Sequence, residues 1–408
     1  MIEDVLRARD IRSQCPLCGR DVSEAPHTEE HIFPGWLQQH HDLLNRRLTI
    51  PNLIGKTYKT VKIGICAHCN NETFSRLETR ISRALTSAHP FVEARGLDRD
   101  DVAAWIGKIL WLNARKSNSV QDHRTRHKTK PEQILPSALL PGLLYTGMLL
   151  RCFAHGKLMR ACHVDDPSMP LRLLGPAYSL YIHEIDRRDD RFESFDFVDN
   201  SLIAGAAIRS GDVGMICLFD GGLHARFLSD RYSYLDGHPL HPMQFNELTA
   251  RIFYDQTLLD PPACRVTYYW NEPLNAIFAE TSGSADLGPY RRDLHDPALL
   301  ARMLGFYTCQ EPEDLLFEDG RTFTALQRPD ESFMPFAVTP EEIETARRTP
   351  GNHRVATAGD SIRVRLAEEA RAAHEAGVDG DEGQSSPRPV ETARSTPRRR
   401  EKPIAGKA

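Results

Sequence analysis

The chain lacks any apolar run approaching the roughly 20 residues needed to span a bilayer. The nearest candidate, Leu143-Leu144-Tyr145-Thr146-Gly147-Met148-Leu149-Leu150, stops at Arg151. The start, Met1-Ile2-Glu3-Asp4, lacks the basic and apolar regions of a signal peptide. These absences predict a soluble, cytoplasmic protein without a membrane partner. Excess positive charge is missing too. The net charge is −5, so any nucleic-acid binding must use local basic patches. No Walker loop, dinucleotide fingerprint, Ser-His-Asp signature or internal repeat is evident. Gly205-Ala206-Ala207 and Gly221-Gly222 read as strand-end or turn glycines, not phosphate loops.

What is present suits a largely globular protein. The 408 residues are 40% hydrophobic and 26% charged, enough for about two or three domains. Nine cysteines are an odd count, which argues against a disulfide framework in so long a chain. Five of them, Cys152, Cys162, Cys217, Cys264 and Cys309, are scattered and read as small buried hydrophobes.

The other four form two C-x-x-C pairs: Cys15-Pro16-Leu17-Cys18-Gly19 and Cys66-Ala67-His68-Cys69. Each pair places two thiolates on one tight turn, and two such turns make the closed tetrahedral site that structural zinc favours. The segment between them is longer than in a usual zinc ribbon, so a substructure must lie there. It contains Thr28-Glu29-Glu30-His31-Ile32-Phe33-Pro34 and Pro51-Asn52-Leu53-Ile54, and Asn70-Asn71 follow the second pair at once.

This order, C-x-x-C, Glu-His-Ile-x-Pro, Asn-Leu, C-x-x-C-Asn, resembles the HNH endonuclease family, in particular members whose ββα-metal fold is stapled by two cysteine knuckles. The resemblance covers about Cys15 to Glu78. It implies that His31 is the general base on the attacking water. It places Glu30 and Asn70 on a catalytic divalent ion and makes Asn52 the residue orienting His31. Asn71 or a backbone carbonyl is the alternative for that last role. Oxygen ligands suit Mg²⁺ or Mn²⁺. A neutral imidazole can take the proton from water, and one hard cation can offset the charge that develops on the phosphate. Adjacent strand residues point to opposite faces, so dividing base and ligand between His31 and Glu30 calls for a bend or bulge at the pair.

The implied activity is metal-dependent hydrolysis of phosphodiester bonds in DNA. Lys56, Lys59 and Lys62, spaced by three, are either phosphate contacts or a solvated hairpin face. Arg124, Arg126 and Lys128 lie in a basic loop, His123 to Lys130, that could track a nucleic-acid backbone. Trp36 and Leu37 read as core, and Glu78 as a surface or supporting group. The competing reading is a non-catalytic zinc-ribbon module that binds nucleic acid or protein. It leaves Glu30-His31 and Cys69-Asn70 as coincidences.

The fold class expected is α+β: a ββα-metal module, a helical segment, then a mixed α+β domain. The boundaries are 1–90, 91–150, 151–350 and 351–408. Val102, Trp105, Ile106, Ile109, Leu110 and Leu112 predict a helix over Asp98–Lys116 with one apolar stripe. Pro136 and Pro141 predict two short helices after Pro131. Ala177–Ile182, Val213–Phe219 and Arg265–Trp270 read as strands, with Asp220-Gly221-Gly222 as a hairpin turn and Leu223–Leu228 as the returning strand. Asp360–Ala376 reads as an exposed helix and 378–408 as a disordered basic tail. The size of 151–350 suggests a region that senses a ligand, binds a protein or oligomerises, as in nuclease effectors of bacterial defence systems.

Overall fold

The computed structural model describes residues 14–21, 27–49, 55–119, 140–164, 174–189, 192–201, 203–259, 266–271, 276–282, 292–328 and 330–335. The expectations for Asn52, for Arg124, Arg126 and Lys128, for the helix over 360–376 and for the tail lie outside these residues. Within them the architecture is mixed α+β.

The N-terminal part runs β1 (His27–His31), α1 (Gly35–His40), β2 (Arg47–Thr49), β3 (Gly55–Thr57) and β4 (Lys62–Cys66). Strands β1 and β4 pair antiparallel, with β2–β3 as a small separate ladder between them in sequence. After β4 comes a π-helical turn, Cys69–Thr73, and then α2 (Phe74–Leu85). Phe74, Leu77, Ile81, Ala84 and Leu85 recur at helical spacing and are buried, so one face of α2 closes the core under the hairpin.

A short helix, α3 (Pro90–Gly96), leads into α4 (Arg99–Ser119). Asp98 starts α4, its carboxylate accepting the Asp100 N–H at 2.8 Å. The single apolar stripe expected here is an underestimate. Val102 to Ile106, Ile109, Leu110 and Leu112 are all fully buried, so α4 is enclosed on all sides. Helix α5 (Leu140–Ala154) lies across it. Pro141 falls in the first turn of α5, where proline is tolerated. The rest of the stretch from Pro131, with Pro136, lies outside the described residues. The crossing is close at Gly147, where a Cβ would sit 3.0 Å from the Trp111 ring.

The remainder holds two four-stranded sheets. Strands β5 (Leu158–Val164), β6 (Leu174–Pro176), β7 (Ser179–Glu184), β8 (Phe195–Asn200), β9 (Gly205–Ser210) and β10 (Val213–Leu218) are followed by α6 (Leu223–Leu228), α7 (Pro242–Leu258), β11 (Val266–Asn271), β12 (Ala276–Ser282), α8 (Pro297–Thr308) and α9 (Pro312–Leu315). The antiparallel sheet has the order β7-β10-β9-β8; the other, β11-β12-β5-β6, is mixed, with β12 and β5 parallel. Along β10, Val213, Met215 and Cys217 face the core around α4, whereas Ile216 and Leu218 face α7 through Phe245, Leu248, Ile252 and Phe253. Helices thus cover both faces of the antiparallel sheet.

The segment after β10 corrects the expected hairpin. Leu223–Leu228 is helical, because Asp220 captures the Gly222 and His224 N–H groups at 2.8 and 2.7 Å while Gly222 takes a left-handed φ of 77°. The expected strands over 177–182, 213–219 and 265–270 appear as β7, β10 and β11. Among the described residues no helix is long and apolar enough to cross a membrane.

The N-terminal part packs directly on the antiparallel sheet. Phe33 meets Tyr58, Phe197 and Phe195 edge-on, with centroids 4.9, 5.0 and 6.4 Å apart. The His41 ring lies between Ser194 and Ser210 hydroxyls, each 2.9 Å away. Burial holds His41 down to about 4, so it is neutral there.

Candidate metal centre and hairpin site

Tight turns bring the two knuckles together. Cys15, Cys18, Cys66 and Cys69 are buried, and their sulfurs all lie within 4.8 Å of one another. Zinc–sulfur bonds of about 2.3 Å in a tetrahedron place sulfurs about 3.8 Å apart. The Cys18 and Cys66 sulfurs are 3.6 Å apart, too far for a disulfide and right for a shared ion. Backbone N–H groups already point at the sulfurs: Cys66 N to Cys15 Sγ at 3.4 Å and Cys69 N to Cys66 Sγ at 3.5 Å. The crowding also splits the thiols. Hydrogen bonds from Cys18 and Cys69 draw Cys15 far down, whereas its neighbours push Cys18 up to about 12 and Cys69 higher still. The cluster can hold a zinc ion. Among the described residues it is the one group of three or more His, Cys, Asp or Glu drawn this close.

Helices α4 and α5 hold the first knuckle. Trp111 Nε1 donates to the Pro16 carbonyl at 2.8 Å, and the His155 ring meets the Cys18 carbonyl at 3.1 Å. Gly19, at φ 75°, lies under the Arg151 guanidinium; a Cβ there would come within 2.9 Å of its Cζ.

The hairpin sorts the remaining candidates by face. Thr28 and Glu30 share one side of β1. Asn70, at the start of the π-turn, donates from Nδ2 to Thr28 Oγ1 at 2.9 Å, so Asn70 and Glu30 serve the same face. Glu30 already has a cation. Lys108, from the middle of α4, donates to both Glu30 and Glu78. Glu78 is therefore not a surface group but one arm of a shielded ion triad. Burial works against the Lys108 ammonium, yet the charges of Glu78 and Glu30 outweigh it and hold the group above its ordinary value. Burial pushes the Glu78 carboxyl up against the pull of Lys108.

No bulge interrupts β1. The register is regular through Glu30↔Ile63 and His31↔Lys62, so the expected bend at the pair is absent and His31 faces away from Glu30. On its side Lys62 pairs with Glu29 at 3.7 Å. Lys56, in β3, and Glu29 both act electrostatically on Lys116 at the end of α4; burial there lowers Lys116, with Lys56 adding to the effect. Lys59 bonds Asn45 at 2.7 Å on an exposed turn. Trp36 is partly buried against the core and Leu37 fully buried. Of the scattered cysteines, Cys152 and Cys217 are buried but Cys309 is exposed.

No family model, characterised protein or solved structure matches this chain. The site must therefore be read from its own geometry.

That geometry brings together the four cysteines, and separately Glu30, Thr28 and Asn70. It adds Lys108, which sequence reasoning missed, and makes Glu78, read there only as a surface or supporting group, its second partner. One signal was available for Lys108: a lone charge inside a wholly apolar helix needs a partner. Its partners lie far away in sequence, on β1 and α2, and no local pattern names them.

Proposed function

We propose that the N-terminal part is a metal-dependent nuclease of the HNH type acting on DNA, with the four cysteines as a structural zinc staple. The observation that carries this reading is the order of parts: a strand ending in Glu30-His31, an antiparallel partner, the second knuckle, and a helical turn from Cys69 whose Asn70 bonds Thr28 on the Glu30 side of β1. Glu30 and Asn70 would hold a Mg²⁺ or Mn²⁺ ion, which supplies positive charge to the phosphate. The second Glu30 oxygen and the Asn70 carbonyl are the donors left for it. His31 would take the proton of the attacking water, for which β1 must bend at the Glu30-His31 pair so that both serve one face. Lys62, Lys56 and Lys116 give its face a positive field suited to a phosphate backbone. The effector role and the ligand or partner of 151–350 belong to the same proposal.

One observation favours a second reading. Lys108 already neutralises Glu30, and His31 lies across the strand. A zinc-stapled binding module whose cation site has been filled by lysine has this arrangement too.

Plasmid cleavage separates the two. The nuclease reading expects nicking with Mg²⁺ or Mn²⁺, none with EDTA, and none by a folded His31→Ala variant. DNA binding that survives EDTA with no product supports the binding module. Cleavage retained by His31→Ala sinks the residue assignment.

A further inference from the structure

We propose that Arg115 and Arg151 form a cationic shield around the four-cysteine cluster, which makes its zinc–thiolate centre chemically inert. The proposal rests on the zinc reading of the cluster. Four thiolates around Zn²⁺ leave two negative charges. Two guanidiniums lie about the first knuckle from different helices, Arg151 of α5 against Gly19 and Arg115 of α4 over the Trp111 ring.

Their placement is built. The Arg151 guanidinium covers Gly19, with Cζ, Nε and Nη1 at 2.9, 3.1 and 3.1 Å from where a Cβ would stand. Any side chain at that position would push the cation off the knuckle. Arg115 stacks over the Trp111 ring, its Cζ 5.5 Å from the centroid. That ring is itself pinned to the knuckle through the Pro16 carbonyl. Burial lowers both guanidiniums, and Arg151 adds to that at Arg115, while the charges of Cys18 and Cys15 at Arg151 and of Cys15 at Arg115 work the other way. Both arginines are half-buried, so water screens these attractions less than it would at the surface. Arginine suits the place because it stays charged and is weakly hydrated.

The chemical consequence concerns the thiolates. A zinc-bound sulfur reacts with an electrophile by donating its lone pair, and nearby positive charge holds that pair back. The shield therefore slows attack and loss of the ion, and marks the cluster as a permanent staple instead of a redox or metal-release switch.

The test uses the full chain carrying zinc. Iodoacetamide alkylates a bound thiolate: the sulfur–carbon bond forms, iodide leaves, and the thioether lets the ion go. A chromogenic chelator reads the zinc released. Arg151→Met and Arg115→Met should each release zinc about tenfold faster than wild type, equivalent to about 1.4 kcal/mol. Arg151→Lys should stay near wild type, and Arg302→Met on the exposed side of α8 should not differ from it. If Arg151→Met does not fold, Arg115→Met and the lysine variant still give the comparison. Cobalt in place of zinc gives a second readout, since the thiolate-to-cobalt charge-transfer band should move to lower energy in the methionine variants. Equal release rates across all variants overturn the shield, as does a lysine variant as fast as methionine. A chain that binds no zinc at all removes the site and the proposal together, and stoichiometry measured first tells the two failures apart.

Discussion

Replacing Lys108 with methionine is the sharpest test of how the N-terminal part is held. Lys108 is 1% exposed, and its partners Glu30 and Glu78 are 12% and 17% exposed. Methionine keeps most of the volume and removes the charge, leaving two shielded carboxylates facing each other. Removing one partner of a buried ion pair costs about 3–5 kcal/mol. The triple variant Glu30→Gln, Lys108→Met, Glu78→Gln removes all the charge and should regain most of that loss. The pH dependence follows from the signs. The folded value of Lys108 is raised, so its contribution is complete below its ordinary value of 10.5 and is lost only above it. Wild type therefore keeps that contribution from pH 5 to 8. Glu78 is raised by burial, so the cost of ionising it appears as pH rises through its folded value. Without the pull of Lys108 that value climbs further. The penalty in Lys108→Met should be largest near pH 7.5 and shrink toward pH 5, as the carboxyls take up protons. Urea unfolding followed by circular dichroism at both pH values measures it. A single variant within 1 kcal/mol of wild type at pH 7.5, or a penalty that does not change with pH, would refute the reasoning.

Four further outcomes are expected. Zinc analysis should find about one ion per chain, and Cys66→Ser should lose it together with the fold of the hairpin; clearly substoichiometric metal in wild type counts against the site. Phe33→Ala should cost about 3–5 kcal/mol, because its ring fills the contact with Tyr58, Phe195 and Phe197; thermal melts give the value, and a loss under 1 kcal/mol contradicts that packing. Burial lowers His41 to about 4 and His224 to about 3. Depressed histidines give stability that is complete above about pH 6.5 and lost as pH falls below it, so each should cost up to about 2 kcal/mol at pH 5; His41→Gln should flatten part of that acid slope, and an unchanged slope speaks against the bridge to Ser194 and Ser210. Gly147→Leu should destabilise α5 against Trp111, since the added side chain meets the ring; a wild-type melting temperature would show that the crossing can open.

Much of this was legible because periodicity and spacing are local. The two C-x-x-C turns announced a four-cysteine cluster, and the strand-like composition of 177–182 and the compact apolar run of 213–219 announced strands. The Leu223–Leu228 error has a specific cause: its composition suits a strand, but Asp220 supplies the captured N–H groups that begin a helix. Pro141 falls in a first turn, where proline is tolerated. The candidate site was only half readable. The resemblance implied that Asn70 and Glu30 act together, and Asn70 does meet Thr28 on the Glu30 side of β1. Lys108 and Glu78 could not be placed, because ion partners on separate elements leave no periodic trace in sequence. Nor could the side of the strand taken by His31, which depends on whether the ladder bulges.

Helix α4 has a consequence for anyone who would treat the first ninety residues as a portable cassette. Cut at that point, the fragment keeps Glu30 and Glu78 but leaves behind the ammonium that reconciles them. It keeps both knuckles but loses Trp111, Arg115, Arg151 and His155 from around the first. The four cysteines are local, while the groups packed around the first knuckle come from downstream. Grafting this unit onto another protein would therefore mean carrying the chain through at least the end of α5.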